Sequence, residues 1–457
     1  MPAPEPGSPL RRPIGLLHAT AMVVGIIIGA SIFVQPSEIN RHVPNVPGVL
    51  AVWIAAGVLT LFGSLVCAEL SATFPRTGGV YVFLKETLSP ACGFLWGWAM
   101  FWSAHSGIIA ASSVILARYV GYFVKLDDFG IRAVAIVAIL LLSLINYLGV
   151  RQGSLLQTVV TVSKVAVILI LLGMVFFLGA PPSPGNAPGS GTDTALAAAA
   201  ATPAPVPFRE FVLAVSAALF AFGGWHMVTY IAGETRQPAR IIPRALLIGS
   251  LTVTVCYVAL NAAYLYLLPL DRVTSSTRVA ADAAFAMAGQ RGASFISALV
   301  ILSAVGVLNG VILAGPRTYF AMACEGLAFG WLAQVHPRFR TPGRAILIQA
   351  VWSCALVATG TYRDLFTRVI YTEWLFFALM TIGLMRLRSR PGYTPVYRAW
   401  GYPWVQLTFT VAAILVAVVQ ILADPRKAAD GLLLVVLGLP VYWIWVRPKR
   451  SSLSKPR

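Results

Sequence analysis

Charge is scarce in this chain. Only 11% of its 457 residues are Asp, Glu, Lys or Arg, and just 16 are acidic. Cysteine is sparse too: Cys67, Cys92, Cys256, Cys324 and Cys354 lie in or beside apolar runs, and none forms a CxxC pair. That distribution argues against a disulfide framework or a thiolate metal site. The chain has no HExxH, no GxSxG turn with partners and no Walker loop. Hydrolase, metalloenzyme and nucleotide chemistry therefore lack their residues, and neither an enzyme, a cofactor nor a metal is expected. The Pro-rich stretch Met1–Arg12 has no small-residue cleavage site, so no signal peptide is expected. What fills the chain instead is apolar. Hydrophobic residues make up 58% and mean hydropathy is +0.79, a composition foreign to soluble domains.

The apolar residues fall into runs of about 20, the length that crosses a hydrocarbon core. Twelve spans are expected, near 14–38, 48–74, 91–123, 130–148, 155–179, 209–233, 243–268, 284–324, 345–361, 365–386, 402–422 and 431–446. The net charge of +18 could point to nucleic acid, but no soluble domain exists to bind it. The basic residues follow the positive-inside rule instead: Arg11, Arg12, Arg76, Lys85, Arg151, Arg236, Arg240, Arg244, Arg338, Arg340 and Arg344 all fall on one side. That side is read as cytoplasmic, with tails 1–13 and 448–457 inside. Residues 180–207 are a Pro-, Gly- and Ala-rich external loop, expected to be disordered.

Two of the runs are interrupted by glycine at matching places: MVVGIIIGASIF (22–33) and AALFAFGGW (217–225). A glycine inside a helix costs about 1 kcal/mol and lets the backbone leave helical geometry. At membrane depth, broken backbone is tolerated only inside protein or beside a polar cavity. The plain alternative is close helix packing through small residues. Spans 1–5 (14–179) and 6–10 (208–386) each begin with a glycine-broken helix. Five helices per unit force the second unit to be inverted, and the interface of inverted repeats is where secondary transporters bind their cargo. Spans 11 and 12 (402–447) are an addition with no evident chemistry.

Five stretches in this order are similar to signatures of the amino acid–polyamine–organocation superfamily, and within it to the L-type amino acid transporter group and its bacterial relatives. They are GIIIGASIFVQP (25–36), CAELSATFPRTGGVYVFLKE (67–86), NYLGVRQGSLLQTVVTVSK (146–164), FAFGGWHMVTYIAGETRQPARIIPRAL (220–246) and NGVILAGPRTYFAMACEG (309–326). The resemblance covers nearly the whole chain. It implies an all-α polytopic protein with a LeuT-type 5+5 inverted repeat, helices 1 and 6 broken, carrying amino acids by alternating access. Sodium-independent exchange of small to medium neutral L-amino acids is the expected activity. A proton-coupled amino acid symporter, or a cationic amino acid or amine antiporter of the same superfamily, is the alternative. L-type carriers of animals join a heavy chain through a cysteine in the loop between helices 3 and 4. Tyr119–Ile131 has none here. A free-standing carrier, plausibly of a prokaryotic inner membrane, is expected, with lipid and substrate as its partners.

The chemistry of an amino acid narrows the site. Its ammonium and carboxylate both need partners on leaving water, and the two ends of a broken helix supply them. Amides near Gly29, Ala30 and Ser31 are the expected carboxylate donors. Carbonyls of Ile27 and Ile28, with one from Phe220 or Ala221, are the expected ammonium acceptors, and Gly223 sits in the second break. The resemblance places a gating aromatic at Phe220, whereas Trp225 reads as packing. Ala30-Ser31 departs from the family's usual Ser-Gly, and His226 stands where an Asn is common. His226 either lines the side-chain end of the site or bonds a neighbouring helix. Lys164 lies too deep in span 5 to snorkel. The resemblance has it touch the helix 1 break, where sodium-coupled relatives hold an ion; a purely structural lysine is the alternative. Glu373 is the one carboxylate well inside the second repeat and is a candidate partner of His226. Glu69 reads as a structural contact, and Glu234 and Arg317 as helix-end residues of an inner gate or as a solvated surface.

Overall fold

The computed structural model describes residues 12–33, 35–178, 205–276, 279–360 and 362–444. The expected tails and most of the expected loop 180–207 lie outside the described residues. Helices account for the architecture. The first run divides into α1 (Leu16–Ile27), a 3-10 turn (Ala30–Phe33) and α2 (Gln35–His42). Then come α3 (Val46–Thr73), α4 (Val80–Thr87), α5 (Pro90–Val120), α6 (Asp128–Leu148) and α7 (Val150–Leu178). The second glycine-broken run divides into α8 (Phe208–Ala221) and a 3-10 segment (Trp225–Glu234). It is followed by α9 (Pro238–Leu267), α10 (Leu270–Ser275), α11 (Val279–Cys324), α12 (Gly343–Thr359), α13 (Tyr362–Arg388), α14 (Trp404–Ala423) and α15 (Pro425–Val436).

Local signals start these helices where they start. Asn45 accepts from the Gly48 amide at 2.7 Å to cap α3, and Asp127 accepts from the Gly130 amide at 2.8 Å to cap α6. Ser89 caps α5 through the Cys92 amide, with Pro90 at the first helical position. Among the described residues, eight helices are long and apolar enough to cross a bilayer, one of them the interrupted run Phe208–Glu234. Leu16–Ile27, Gly343–Thr359 and Ala428–Ile444 are shorter apolar helices.

The outer faces are apolar as well. Leu140, Leu141 and Leu144 of α6 and Leu155, Val159 and Val162 of α7 are all exposed. Rows of exposed aliphatics suit hydrocarbon, not water. The protein is a multi-pass membrane protein. Inside it, α1 is enclosed by α7, α9 and α11, and α9 packs along α3. Both broken runs are therefore held in protein, as irregular backbone at membrane depth requires.

Candidate functional site

The first break follows from where the α1 hydrogen bonds stop. The Ile28 amide still donates to the Val24 carbonyl at 2.9 Å, but Ile28 has left helical geometry (φ −69°, ψ 86°). Carbonyls at the end of α1 then have no amide one turn ahead. Side chains from other helices take that place. The Lys164 ammonium of α7 donates to the Gly25 carbonyl at 2.8 Å and to the Ile28 carbonyl at 2.6 Å. Ser303 of α11 donates to the same Ile28 oxygen at 3.2 Å. Lys164 is fully buried, and a side chain at Gly306 would sit 2.7 Å from its Nζ, so the glycine makes room for the ammonium.

The second break lies beside the first. The Phe222 amide closes α8 on the Ala218 carbonyl at 3.2 Å, and Gly224 turns the chain at φ +91°. Only glycine adopts that conformation readily. It also lets the backbone approach Ile26 of α1, whose side chain a Cβ on Gly224 would strike. Tyr257 of α9 joins the breaks: its hydroxyl lies 2.8 Å from the Ile27 carbonyl and 3.1 Å from the Ala221 carbonyl. A hydroxyl carries a single proton, so it cannot satisfy both oxygens fully at once.

Between the breaks is a cavity of about 230 Å³. It is smaller than the ~300–1,000 Å³ of drug-sized sites. Ile27, Gly29, Ser31, Phe220, Ala221 and Gly223 all line it. At another part of its wall are His226, Glu373 and Phe377, together with His105 of α5. His226 Nε2 is 3.7 Å from Glu373 Oε1, beyond hydrogen-bond distance. Phe220, Gln35 and Trp374 also line a neighbouring cavity of about 210 Å³ that opens beside Glu38 and His42. The two grooves near Arg151, by contrast, share no lining residue with the central cavity.

On that Arg151 side the chain is pinned. Arg317 donates to Glu234 through Nε (3.0 Å) and Nη2 (3.1 Å), and both side chains are fully buried. The surface alternative for this pair is thereby corrected. The N-terminal segment is bonded beside it: the Ile14 amide donates to the Glu234 carbonyl at 3.2 Å, and the Arg236 amide to the Ile14 carbonyl at 2.9 Å.

The geometry brings most of the candidate residues together. Lys164 meets the α1 break, and His226 and Glu373 face each other across the cavity wall. One expected acceptor is altered in availability: two donors already occupy Ile28's carbonyl, and an oxygen has two lone pairs. Ile27 and Ala221 keep the capacity that Ile28 has used. The sequence reading missed Tyr257, Ser303 and His105. Hydroxyls inside apolar helices do not stand out, but His105 is an ionisable residue within a span, the kind that marks function by default.

A family description for amino acid permeases matches residues 14–445. The chain belongs to that family. Within the amino acid–polyamine–organocation superfamily it falls with the L-type-like group. It is 30% identical to the serine/threonine exchanger SteT of Bacillus subtilis (strain 168), covering 97% of this chain and 98% of that one. It is 28% identical to the human b(0,+)-type amino acid transporter 1, covering 98% and 91%. It is also 28% identical to the large neutral amino acids transporter small subunit 2 of Rattus norvegicus, covering 96% and 82%. The protein is an amino acid transporter of the membrane and not an enzyme.

Proposed function

We propose that the chain exchanges small to medium neutral L-amino acids by alternating access, without sodium. The observation that carries this reading is the Lys164 ammonium on the Gly25 and Ile28 carbonyls. It puts a basic side chain against the α1 break, in the place a coupling cation would otherwise take. The reading takes the helices as twelve spans in a LeuT-type 5+5 inverted repeat, with both tails cytoplasmic in a prokaryotic inner membrane. The carrier stands alone, because the Tyr119–Ile131 loop offers no cysteine to a heavy chain.

In the central cavity the substrate carboxylate takes the amides at the start of the Ala30–Phe33 turn, near Gly29 and Ser31. Those amides have no partner within the turn, and they form the positive end of its dipole. The ammonium takes the Ile27 and Ala221 carbonyls, which share the one Tyr257 proton. Phe220 lines both cavities, as a residue that covers the substrate from outside must. The Glu234–Arg317 pair and the Ile14 crossing close the opposite side.

The test is exchange in proteoliposomes with a panel of labelled amino acids, with sodium or choline outside and with or without a pH gradient. Counterflow that needs internal amino acid and is indifferent to sodium is expected. A strict sodium requirement overturns the role given to Lys164. Decarboxylated amines competing as well as their parent amino acids overturn the carboxylate site and favour an amine antiporter. A second reading, proton-coupled uptake, is favoured by one feature, the titratable pair His226 and Glu373 in the cavity wall. Accumulation in empty vesicles driven by a pH gradient alone would establish it.

A further inference from the structure

His226 is 2% exposed, and neither ring nitrogen has a hydrogen-bond partner. Its neighbours explain why. Trp225, Trp96, Tyr230 and Phe377 pack around the imidazole with ring centroids 5.0–5.7 Å away, all four in T-shaped contacts. These rings fix the histidine and keep it dry. Leaving a buried polar group unsatisfied costs about 1–3 kcal/mol. A protein retains that cost where something else supplies the bond. Glu373 repeats the pattern. Its carboxylate is 15% exposed, and among the described residues the ionisable group within 4 Å of it is His226, 3.7 Å away. His105 adds a third group. Its Nδ1 bonds the Tyr319 hydroxyl at 3.0 Å, while Nε2 is buried with no partner. It follows directly on a π-helical turn, Met100–Ala104, a local widening that re-aims the residues after it. All three residues line the central cavity.

We infer that this wall is a side-chain subsite for uncharged polar amino acids, those whose side chain ends in a hydroxyl or carboxamide. The inference rests on the transport reading above and names its substrate class. A hydroxyl or amide both donates and accepts, so one such group set between the two residues donates to Glu373 and bonds the imidazole at once. An aliphatic side chain of the same shape does neither and leaves both groups unmet. A cationic side chain meets the carboxylate, but His226 and Glu373 can balance their own charge by sharing one proton. A further charge would then stand uncompensated in a low-dielectric site. An anionic side chain meets Glu373 as a like charge. Sites built to bond a hydroxyl discriminate strongly against the analogue without it, because their own polar groups stay unpaired.

Isosteric pairs isolate the effect. In proteoliposomes, competition against the best labelled substrate is measured for threonine and valine, serine and 2-aminobutyrate, asparagine and leucine, and for lysine. Each polar member is expected to compete about tenfold or more better than its apolar twin, with lysine weaker than threonine. Pairs that compete within twofold of each other, or lysine ahead of threonine, overturn the subsite while leaving transport intact. Failure of every amino acid to compete overturns the transport reading itself. In His226→Phe and Glu373→Gln the threonine-to-valine ratio is expected to fall towards one, and an unchanged ratio in a folded variant overturns the assignment. Thermal stabilisation of the wild-type protein by threonine against valine gives the same comparison without a variant. Equal stabilisation by the two overturns it as well.

Discussion

Glu69 and Glu373 are both carboxylates among the helices, and they are treated in opposite ways. Glu69 is fully buried and accepts from two Arg388 nitrogens (Nε at 2.9 Å, and Nη2), from the Tyr393 hydroxyl at 3.2 Å and from the Ala399 amide at 2.8 Å. Arg388 also donates to the Ala399 carbonyl at 2.8 Å and stacks over the Tyr402 ring. Every lone pair is used, and the cluster ties the chain segment after α13 to α3. Glu373 faces a cavity, and among the described residues its one ion-pair partner is His226, too far to bond. A saturated buried charge has no capacity left for a ligand, so its role is to hold elements together. An unsaturated one beside a cavity has capacity that only a ligand or a proton can take up.

The comparison breaks most visibly at Arg388. Arg388→Ala strips Glu69 of its charge partner while the carboxylate stays buried. Removing one member of such a pair destabilises by about 3–5 kcal/mol. A large drop in the thermal midpoint of the purified carrier is expected, along with poor recovery from membranes. A loss below about 1 kcal/mol would mean that Tyr393 and Ala399 alone satisfy Glu69, and the cluster would no longer mark structure.

Lys164 stands between the two cases, since its charge is met by backbone at the functional break. Lys164→Ala removes two hydrogen bonds to the break, but it takes the buried charge away with them and Ser303 still serves Ile28. The expected outcome is exchange reduced at least about tenfold, with a smaller stability loss than Arg388→Ala. Wild-type exchange in the alanine variant, with unchanged affinity, would make Lys164 a structural lysine.

Much of this contrast was legible before any coordinates. Glycine pairs inside apolar runs are costly enough to announce both breaks, and an ionisable residue at membrane depth is rare enough to single out Lys164, Glu373 and His226. What the sequence hid depends on which distant helix meets which. Tyr257 looks like any apolar-helix tyrosine until α9 brings its hydroxyl to Ile27 and Ala221. Ser303 is one serine among many until α11 lies against α1. The burial of Glu234 and Arg317 was hidden for a similar reason. Local pattern puts them at helix ends, and only the tertiary packing takes them out of solvent.

The smallest expected effect on stability is also the sharpest test of the contrast. Glu373→Gln keeps the shape of the side chain and removes its charge. If Glu373 were a structural residue like Glu69, the change would cost bonds, yet among the described residues Glu373 has no side-chain hydrogen-bond partner. A buried polar group left unmet in the ligand-free fold lowers stability by about 1–3 kcal/mol, and removing its charge relieves part of that cost. The thermal midpoint of the ligand-free variant is therefore expected to equal or exceed that of the wild type, while the stabilisation conferred by a bound polar amino acid shrinks. Ligand stabilisation follows the ratio of concentration to Kd, so the two measurements on one protein separate fold from binding. A variant less stable than wild type without ligand would place Glu373 with Glu69, and the distinction between the two carboxylates would fail.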